Sequence, residues 1–180
     1  MSLEIVIGCM KSGKSTYVIE KYMGFTAIRI TCMVINHSCD TRYGTNVVSN
    51  HNKKTIPCIS VDTLMPLGAT TEYMRSTHII IEESHFFSDL RKFVEKCLID
   101  GKHLIVIGLS GDYKGNPFGQ VLDCIPLAER VTHHRALCEV CCDGTPASFS
   151  HRLDASTDAQ VFVGGSDKYI AVCRKHWLTE

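Results

Sequence analysis

Short apolar runs alternate with helical patterns along the first 130 residues of the chain. Continuous apolar runs, rich in β-branched residues, predict five strands at residues 3–7, 27–35, 56–61, 77–81 and 104–109. A glycine-containing loop leads into a predicted helix at residues 14–23, and apolar residues at helical spacing predict a second helix at residues 89–99. Residues 117–129 predict a further helix that Pro126 interrupts or shifts. The polar residues 36–52 predict a loop. This alternation is typical of an α/β fold with a parallel sheet and flanking helices.

The pattern changes after residue 131, where cysteines, histidines, turn residues and short strand-like runs follow one another without a long helix. We expect a domain boundary near residues 130–136. The sequence therefore predicts an α/β domain at residues 1–132 and a small second domain at residues 133–180.

Composition narrows the range of partners. The chain has 180 residues with 19 basic and 19 acidic side chains, so its formal net charge is zero. A balanced charge argues against a nucleic-acid or anionic-membrane partner. No apolar run approaches the roughly 20 residues that span a bilayer, and the first residues lack the basic start of a signal peptide. Most of the ten cysteines are then expected to be reduced thiols or metal ligands, as in a cytoplasmic protein.

A phosphate-binding motif follows the first predicted strand. The pattern G-x-x-x-x-G-K-[S/T] is filled by Gly8, Cys9, Met10, Lys11, Ser12, Gly13, Lys14 and Ser15. Backbone N–H groups of such a loop surround a phosphate, and the positive end of the next helix favours the anion. Lys14 would reach the β- and γ-phosphates of a nucleotide and Ser15 would bind Mg²⁺. The strand before the motif and the helix after it support a nucleotide site over a chance match.

Two carboxylates follow the predicted strand at residues 77–81. Glu82 or Glu83 in this position can hold Mg²⁺, often through water, and a second carboxylate can accept a proton from an attacking hydroxyl. The alternative is a pair of acidic side chains solvated at the end of a strand.

A cysteine–histidine pattern lies in the second predicted domain. Two short-spaced pairs, Cys138 with Cys141 and Cys173 with His176, have the spacing of a tetrahedral zinc site. Four protein ligands leave no open position, so the zinc would be structural. Cys142 adjoins the first pair and is a competing ligand. Free thiols or a redox pair are the alternatives.

Several segments in their order resemble the type II thymidine kinases, the cellular and poxvirus type, over nearly the whole chain. Besides the phosphate loop, they are Asp40-Thr41-Arg42-Tyr43 for D-x-R-Y, residues 82–87 (EESHFF) for D-E-x-Q/H-F-F, residues 109–113 (LSGDY) with 117–119 (PFG) for L-D-G-x-F…P-F-G, and residues 164–169 (GGSDKY) leading to Cys173 and His176.

The resemblance implies an enzyme that transfers the γ-phosphoryl group of ATP to the 5′-hydroxyl of thymidine, for deoxynucleotide salvage and DNA synthesis. Glu83 would be the general base, and Lys14 and Arg42 would stabilise the transferred phosphoryl group. Ser15 would bind Mg²⁺, with Glu82 assisting through water and Asp40 organising the metal. The implied cofactors are Mg²⁺ with ATP and a structural Zn²⁺.

The resemblance also implies a loop of the zinc domain, residues 148–169, that closes over thymine like a lasso. The residues around the base would be Met10, Phe86, Leu109, Tyr113, Phe118, Ser150, Phe162 and Tyr169. A homotetramer and feedback inhibition by thymidine triphosphate are further expectations from the family.

This chain departs from the family's usual residues at Glu82 (commonly Asp), Ser84 (commonly Gly), His85 (commonly Gln) and Ser110 (commonly Asp). Two alternatives stay open at this stage. One is a zinc-containing P-loop ATPase, and the other is a degenerate nucleotide and zinc module that serves only in interactions.

Overall fold

The structure, a computed structural model, describes residues 1–40, 44, 46–153, 159–160 and 168–179. The strands are β1 Ser2–Gly8, β2 Cys32–His37, β3 Val47–Ser49, β4 Thr55–Pro57, β5 Ile59–Val61, β6 His78–Ile81, β7 His103–Leu109, β8 Arg130–His134, β9 Ala136–Leu137, β10 Pro146–Ala147, β11 Phe149–Arg152 and β12 Tyr169–Val172. The α-helices are α1 Lys14–Ala27, α2 Thr71–Arg75, α3 Leu90–Ile99 and α4 Arg174–Leu178, and 3-10 helices cover Met65–Ala69, Ser84–Phe86 and Leu122–Leu127. Within these described ranges, none of the helices has the length and apolar character that a membrane span needs.

Six strands form one parallel sheet in the order β5-β2-β6-β7-β1-β8. This confirms the α/β fold with a parallel sheet. In the register of β1, Gly8 pairs with Leu109 of β7 on one side and with His134 of β8 on the other. The carboxyl ends of the strands therefore meet at one edge, which is where open α/β sheets bind ligands.

Both faces of the inner strands β2, β6, β7 and β1 are buried, which explains why these strands are largely apolar in the sequence. Leu3 and Ile5 of β1 pack into one apolar cluster with Phe93 of α3, and Val6 packs into the other with Val18 of α1. Successive side chains of a strand point to opposite faces, so these inner strands need apolar residues on both faces.

The prediction of a strand from residue 27 was wrong at its beginning. Helix α1 continues to Ala27 and β2 starts only at Cys32. Tyr22 and Phe25 pack against the apolar cluster on this face of the sheet, so the helix is stabilised beyond its predicted end. The helix then ends in a turn in which Arg29 has a φ of 61° and the Ile30 N–H donates to the Phe25 carbonyl.

The predicted loop at residues 36–52 contains the end of β2 and the whole of β3, which forms an antiparallel hairpin with β4. The predicted strand at residues 56–61 is two strands separated at Cys58, because β4 pairs in this hairpin while β5 joins the edge of the main sheet. The predicted helix at residues 117–129 is a short 3-10 helix, Leu122–Leu127, that contains Pro126.

Small antiparallel pairs follow the sheet. Strand β9 pairs with β10, and β11 pairs with β12 ahead of helix α4. A third apolar cluster lies among these elements and includes Cys9 of the phosphate loop together with Ala147, Ala171 and Val172. Strand β8 extends to His134, so residues 133 and 134 belong to the sheet. The two-domain division at residues 132 and 133 stays a prediction.

Candidate active site and metal centre

The phosphate loop connects β1 to α1 at the carboxyl edge of the sheet. Gly13, just before the helix, has a φ of 84°, a conformation that glycine adopts without strain. A Cβ atom at Gly8 would lie 2.5 Å from the His134 carbonyl oxygen, so only glycine fits between the loop and β8. The Lys14 Nζ donates to the carbonyl oxygens of Gly8 (3.1 Å) and Cys9 (2.7 Å). The loop thus holds a lysine ammonium group over its own turn.

A hydroxyl and a carboxylate meet beside the loop. Ser15, in the first turn of α1, donates from Oγ to Oε1 of Glu82 at 2.6 Å, and Glu82 is buried at the end of β6. Both are oxygen ligands of the kind that Mg²⁺ prefers. Asp40 follows β2 and accepts from Asn36 Nδ2 at 3.1 Å. The predicted Mg²⁺ residues therefore fit a hard cation in their donor chemistry.

Glu83 occupies an unusual backbone position. Its φ is 47°, in the left-handed region that side chains other than glycine rarely adopt. Its side chain is 15% exposed, and Oε2 lies 3.5 Å from Nε2 of His85. Strained positions of this kind cluster at functional sites.

One cavity of about 470 Å³ lies along this edge. Its volume is within the range of roughly 300–1,000 Å³ that is usual for small-molecule sites. Most of the predicted site residues line it, namely Met10, Lys11, Ser12, Gly13, Lys14, Ser15, Asp40, Glu82, Glu83, Phe86, Leu109, Tyr113, Phe118, Ser150 and Tyr169. Gly8 and Cys9 do not line the cavity and contact Lys14 through their carbonyl oxygens. Arg42 and Phe162 lie outside the described residues.

The cavity has further lining residues that the sequence analysis did not select, namely Thr16, Val48, Ser49, Asn50, His51, His85, Gly111, Asp112 and Gln160. His85, Gly111 and Asp112 lie inside motifs already quoted, so their position in the motifs was a usable signal. The residues of the β3–β4 hairpin gave no signal, because that segment was predicted to be a loop.

Aromatic side chains form a second part of the cavity wall, which differs in chemical character from the phosphate loop. Phe86 and Phe118 make an edge-on contact with ring centroids 5.7 Å apart. The guanidinium carbon of Arg152 lies 3.8 Å from the centre of the Tyr113 ring, and Arg152 Nη2 donates to the Tyr169 hydroxyl at 2.9 Å. Arg152 thereby fixes two tyrosines of the wall. Such rings offer stacking and edge contacts to a flat base.

The four predicted zinc ligands come together in the C-terminal part. The Cys141 and Cys173 sulfur atoms are 3.8 Å apart, and His176 Nδ1 lies 3.5, 3.4 and 3.4 Å from the sulfurs of Cys138, Cys141 and Cys173. A tetrahedral zinc ion with usual bond lengths places sulfurs about 3.8 Å apart and sulfur and nitrogen about 3.6 Å apart. The cluster therefore matches the size of a Cys₃His zinc site.

The pKa shifts of two cluster thiols go in opposite directions: burial, followed by hydrogen bonds with Cys138 and Cys173, raises the pKa of Cys141 to about 11, whereas the pKa of Cys138 is lowered. Burial opposes the charged form of Cys138, but hydrogen bonds from the backbone of Cys141 and Cys173 prevail and lower the pKa of its thiol. A thiolate is the form that binds zinc. Cys142 lies outside the cluster, since its sulfur donates to the Glu139 carbonyl at 3.1 Å. Within the described part of the chain, the structure thus separates Cys142 from the four ligands.

A phosphate loop at the end of β1, a serine–carboxylate pair beside it and an aromatic cavity with a second carboxylate define a P-loop phosphotransferase that acts on a small aromatic substrate. Comparison with known proteins agrees. The family model described as thymidine kinase matches residues 1–177.

Named relatives cover nearly the whole chain. A thymidine kinase of Monkeypox virus (strain Zaire-96-I-16) is 37% identical over 177 residues, which are 98% of this chain and 96% of the viral protein. Thymidine kinase a of Arabidopsis thaliana is 37% identical over 182 residues, and the cytosolic thymidine kinase of Gallus gallus is 36% identical over 172 residues; these cover 99% and 96% of this chain and 75% of each relative. The chain belongs to the thymidine kinase family, and the resemblance that its motifs indicated is confirmed.

Proposed function

We propose that this protein transfers the γ-phosphoryl group of ATP to the 5′-hydroxyl of thymidine and forms thymidine monophosphate for deoxynucleotide salvage. The observation that carries the proposal is a single cavity lined at once by the phosphate loop, by Glu83 and by the aromatic residues Phe86, Tyr113 and Phe118. A phosphoryl donor and a flat acceptor can therefore occupy one enclosure. The names of the relatives support thymidine as the acceptor.

Each polar residue of the cavity has its own proposed role in phosphoryl transfer. Lys14 stabilises charge on the transferred phosphoryl group, and Glu83 accepts the proton of the attacking hydroxyl. Ser15 would bind Mg²⁺, with Glu82 assisting through water, and the ion would neutralise phosphate charge. Asp40 would help to organise this metal, and Arg42, outside the described residues, is proposed as a second cation for the phosphoryl group.

The base-binding role falls to the aromatic wall. Met10, Leu109, Ser150 and Tyr169 complete the proposed thymine pocket, together with Phe162, which is outside the described residues. The segment at residues 148–169, much of which lies outside the described residues, is proposed to screen a stacked base from water. Exclusion of water from such a site limits the wasteful hydrolysis of ATP.

Further proposals concern the whole molecule. We propose a structural Zn²⁺ held by Cys138, Cys141, Cys173 and His176, within a lasso domain of residues 133–180 that follows a kinase domain of residues 1–132. A homotetramer and feedback inhibition by thymidine triphosphate follow from the family resemblance alone. A cytoplasmic location is supported by the printed name of the Gallus gallus relative.

The deciding experiment measures phosphate transfer from Mg-ATP to thymidine, deoxycytidine, deoxyadenosine and no nucleoside in parallel. We expect thymidine monophosphate to form and ADP release to require thymidine. ADP release that is independent of nucleoside would instead indicate a P-loop ATPase. Absence of any turnover from a chain that has bound zinc and ATP would indicate a module without catalytic function.

A further inference from the structure

The imidazole ring of His85 is buried beside Glu83, the proposed general base. His85 is 3% exposed, and its ring lies between Phe86 and Phe118 with centroid distances of 4.2 and 4.6 Å. Three residues of the cavity wall are therefore packed against one another. The orientation of the His85 ring is fixed by this packing.

Backbone chemistry determines which nitrogen of His85 carries the proton. The N–H of Leu109, which can only donate, is directed at Nδ1 of His85 at 3.3 Å. Nδ1 accepts this hydrogen bond, so the proton of the neutral ring is on Nε2. Nε2 lies 3.5 Å from Oε2 of Glu83, and an ionised carboxylate can only accept. The ring thus presents a donor to the carboxylate.

The backbone around this pair leaves little freedom. Ser84, between the two residues, is fully buried and donates from Oγ to the Ile107 carbonyl of β7 at 2.7 Å. Gly119 lies so close to the His85 carbonyl that a Cβ atom there would overlap with it. The spacing of Glu83 and His85 is therefore set by the core of the molecule.

We infer that His85 is a positioning residue that acts through Glu83: its Nε2–H donates to one carboxylate oxygen and directs the other to the substrate hydroxyl. The inference rests on the proposed role of Glu83 as the base. The distance of 3.5 Å exceeds that of a formed N–H···O bond, about 2.7–3.2 Å, so we expect the bond to form by a rotation of the carboxylate. Hydrogen bonds in active sites often tighten in this way when the substrate binds.

Two variants separate hydrogen bonding from packing. The amide of His85→Gln offers an acceptor to Leu109 and a donor to Glu83, whereas His85→Leu offers neither. His37→Leu is the matched control, because His37 is also buried and contacts Phe86 (5.4 Å) but accepts from the Cys39 N–H. We expect His85→Leu to lower kcat about 10- to 100-fold with KM values for ATP and thymidine changed less than about threefold.

His85→Gln and His37→Leu are expected to keep kcat within about threefold of the native chain. Equal losses of kcat in His85→Gln and His85→Leu would overturn the inference, because packing of the ring would then be the cause. A His85→Leu chain with native kcat would overturn it as well.

A spectroscopic measurement tests the hydrogen bond without turnover. We expect ¹⁵N NMR of the histidine side chains to report the Nε2–H tautomer for His85, assigned by its loss in His85→Gln, and a change in its Nε2 signal in Glu83→Gln. A proton on Nδ1 would overturn the inference. A native chain that phosphorylates no nucleoside but retains this Glu83-dependent signal would refute the proposed function and leave the hydrogen bond supported.

Discussion

The ammonium group of Lys11 lies 2.6 Å from the carboxylate of Glu139, and this ion pair joins the phosphate loop to the segment between two candidate zinc ligands. The other carboxylate oxygen of Glu139 accepts from the Ala171 N–H at 2.7 Å. The two preceding loop residues make similar links. The Met10 N–H donates to Ser150 Oγ at 3.0 Å, and the Cys9 thiol, whose pKa is raised by burial, donates to the Ala147 carbonyl at 3.5 Å.

Because three successive loop residues contact the C-terminal part, removal of zinc is expected to weaken ATP binding as well as thymidine binding. A half-exposed ion pair alone contributes about 1 kcal/mol or less. The loss of all three contacts is expected to weaken binding of a non-hydrolysable ATP analogue roughly tenfold, or about 1.4 kcal/mol. Titration of the analogue before and after chelation measures this, and added zinc should restore the affinity. Unchanged affinity in a folded, zinc-free chain would contradict the coupling.

Glu83→Gln is expected to lower kcat by about 10²- to 10⁴-fold, because the amide cannot accept the proton of the substrate hydroxyl. Binding of the ATP analogue should be retained, since Lys14 and Ser15 are unchanged. Steady-state kinetics and titration check the two parts. Glu95→Gln is the matched control, because the Glu95 side chain is 47% exposed and pairs with Arg91 on the surface. Substantial turnover by Glu83→Gln would remove this residue from the base role.

Substitution of one zinc ligand should release the metal. Cys138→Ser and Cys173→Ser are expected to lower the zinc content from about one ion per chain to nearly none, because each leaves three ligands for a tetrahedral ion. Metal analysis of the purified chains measures the content. Cys142→Ser is the control and should retain zinc, since its sulfur bonds to the Glu139 carbonyl. Loss of zinc in Cys142→Ser would place this cysteine in the site.

Acid should destabilise the fold through His78. Its ring stacks on that of His103 with centroids 4.7 Å apart, and burial, followed by the neighbouring His103 and the N-terminal amine, lowers the pKa of His78. As the pH falls through about 6.5, the unfolded chain binds the proton before the folded chain does, so the free energy of unfolding decreases. The contribution of the neutral His78 ring to the free energy of unfolding is fully present above this pH.

His78→Phe retains a ring but removes the proton site, so its loss of stability between about pH 7.5 and 5.5 should be smaller than that of the native chain. Urea unfolding at the two pH values gives the comparison. An equal loss in both chains would assign the acid sensitivity to other groups.

The sequence predicted those parts whose pattern is local. The phosphate loop combines a fixed spacing with a strand before it and a helix after it, and both elements are present in the structure as β1 and α1. The short hairpin of β3 and β4 could not be predicted, since three-residue strands have too few positions for periodicity to be measured. The break at Cys58 has the same origin, because only the position of β2 determines that β5 joins the main sheet.

The residues of the candidate site were likewise predicted mainly where they lie close together in the sequence. The candidate metal ligands and the phosphate-loop residues were predicted from their spacing, because such sites draw on residues that are close in the chain. Arg152 and Gln160 were missed, since their contacts with Tyr113, Tyr169 and Asp112 arise from the path of the chain in three dimensions. No pattern in the sequence places a guanidinium group over a tyrosine ring 39 positions away.

The contacts of the phosphate loop can form only late in the synthesis of the chain. Cys9, Met10 and Lys11 meet partners that follow them by 138, 140 and 128 positions in the chain. At about 5–20 residues per second, a ribosome needs several seconds to about half a minute to make that intervening stretch. The nucleotide motif is therefore made well before the residues that contact it, and we expect the nascent chain to become able to bind ATP only late in synthesis.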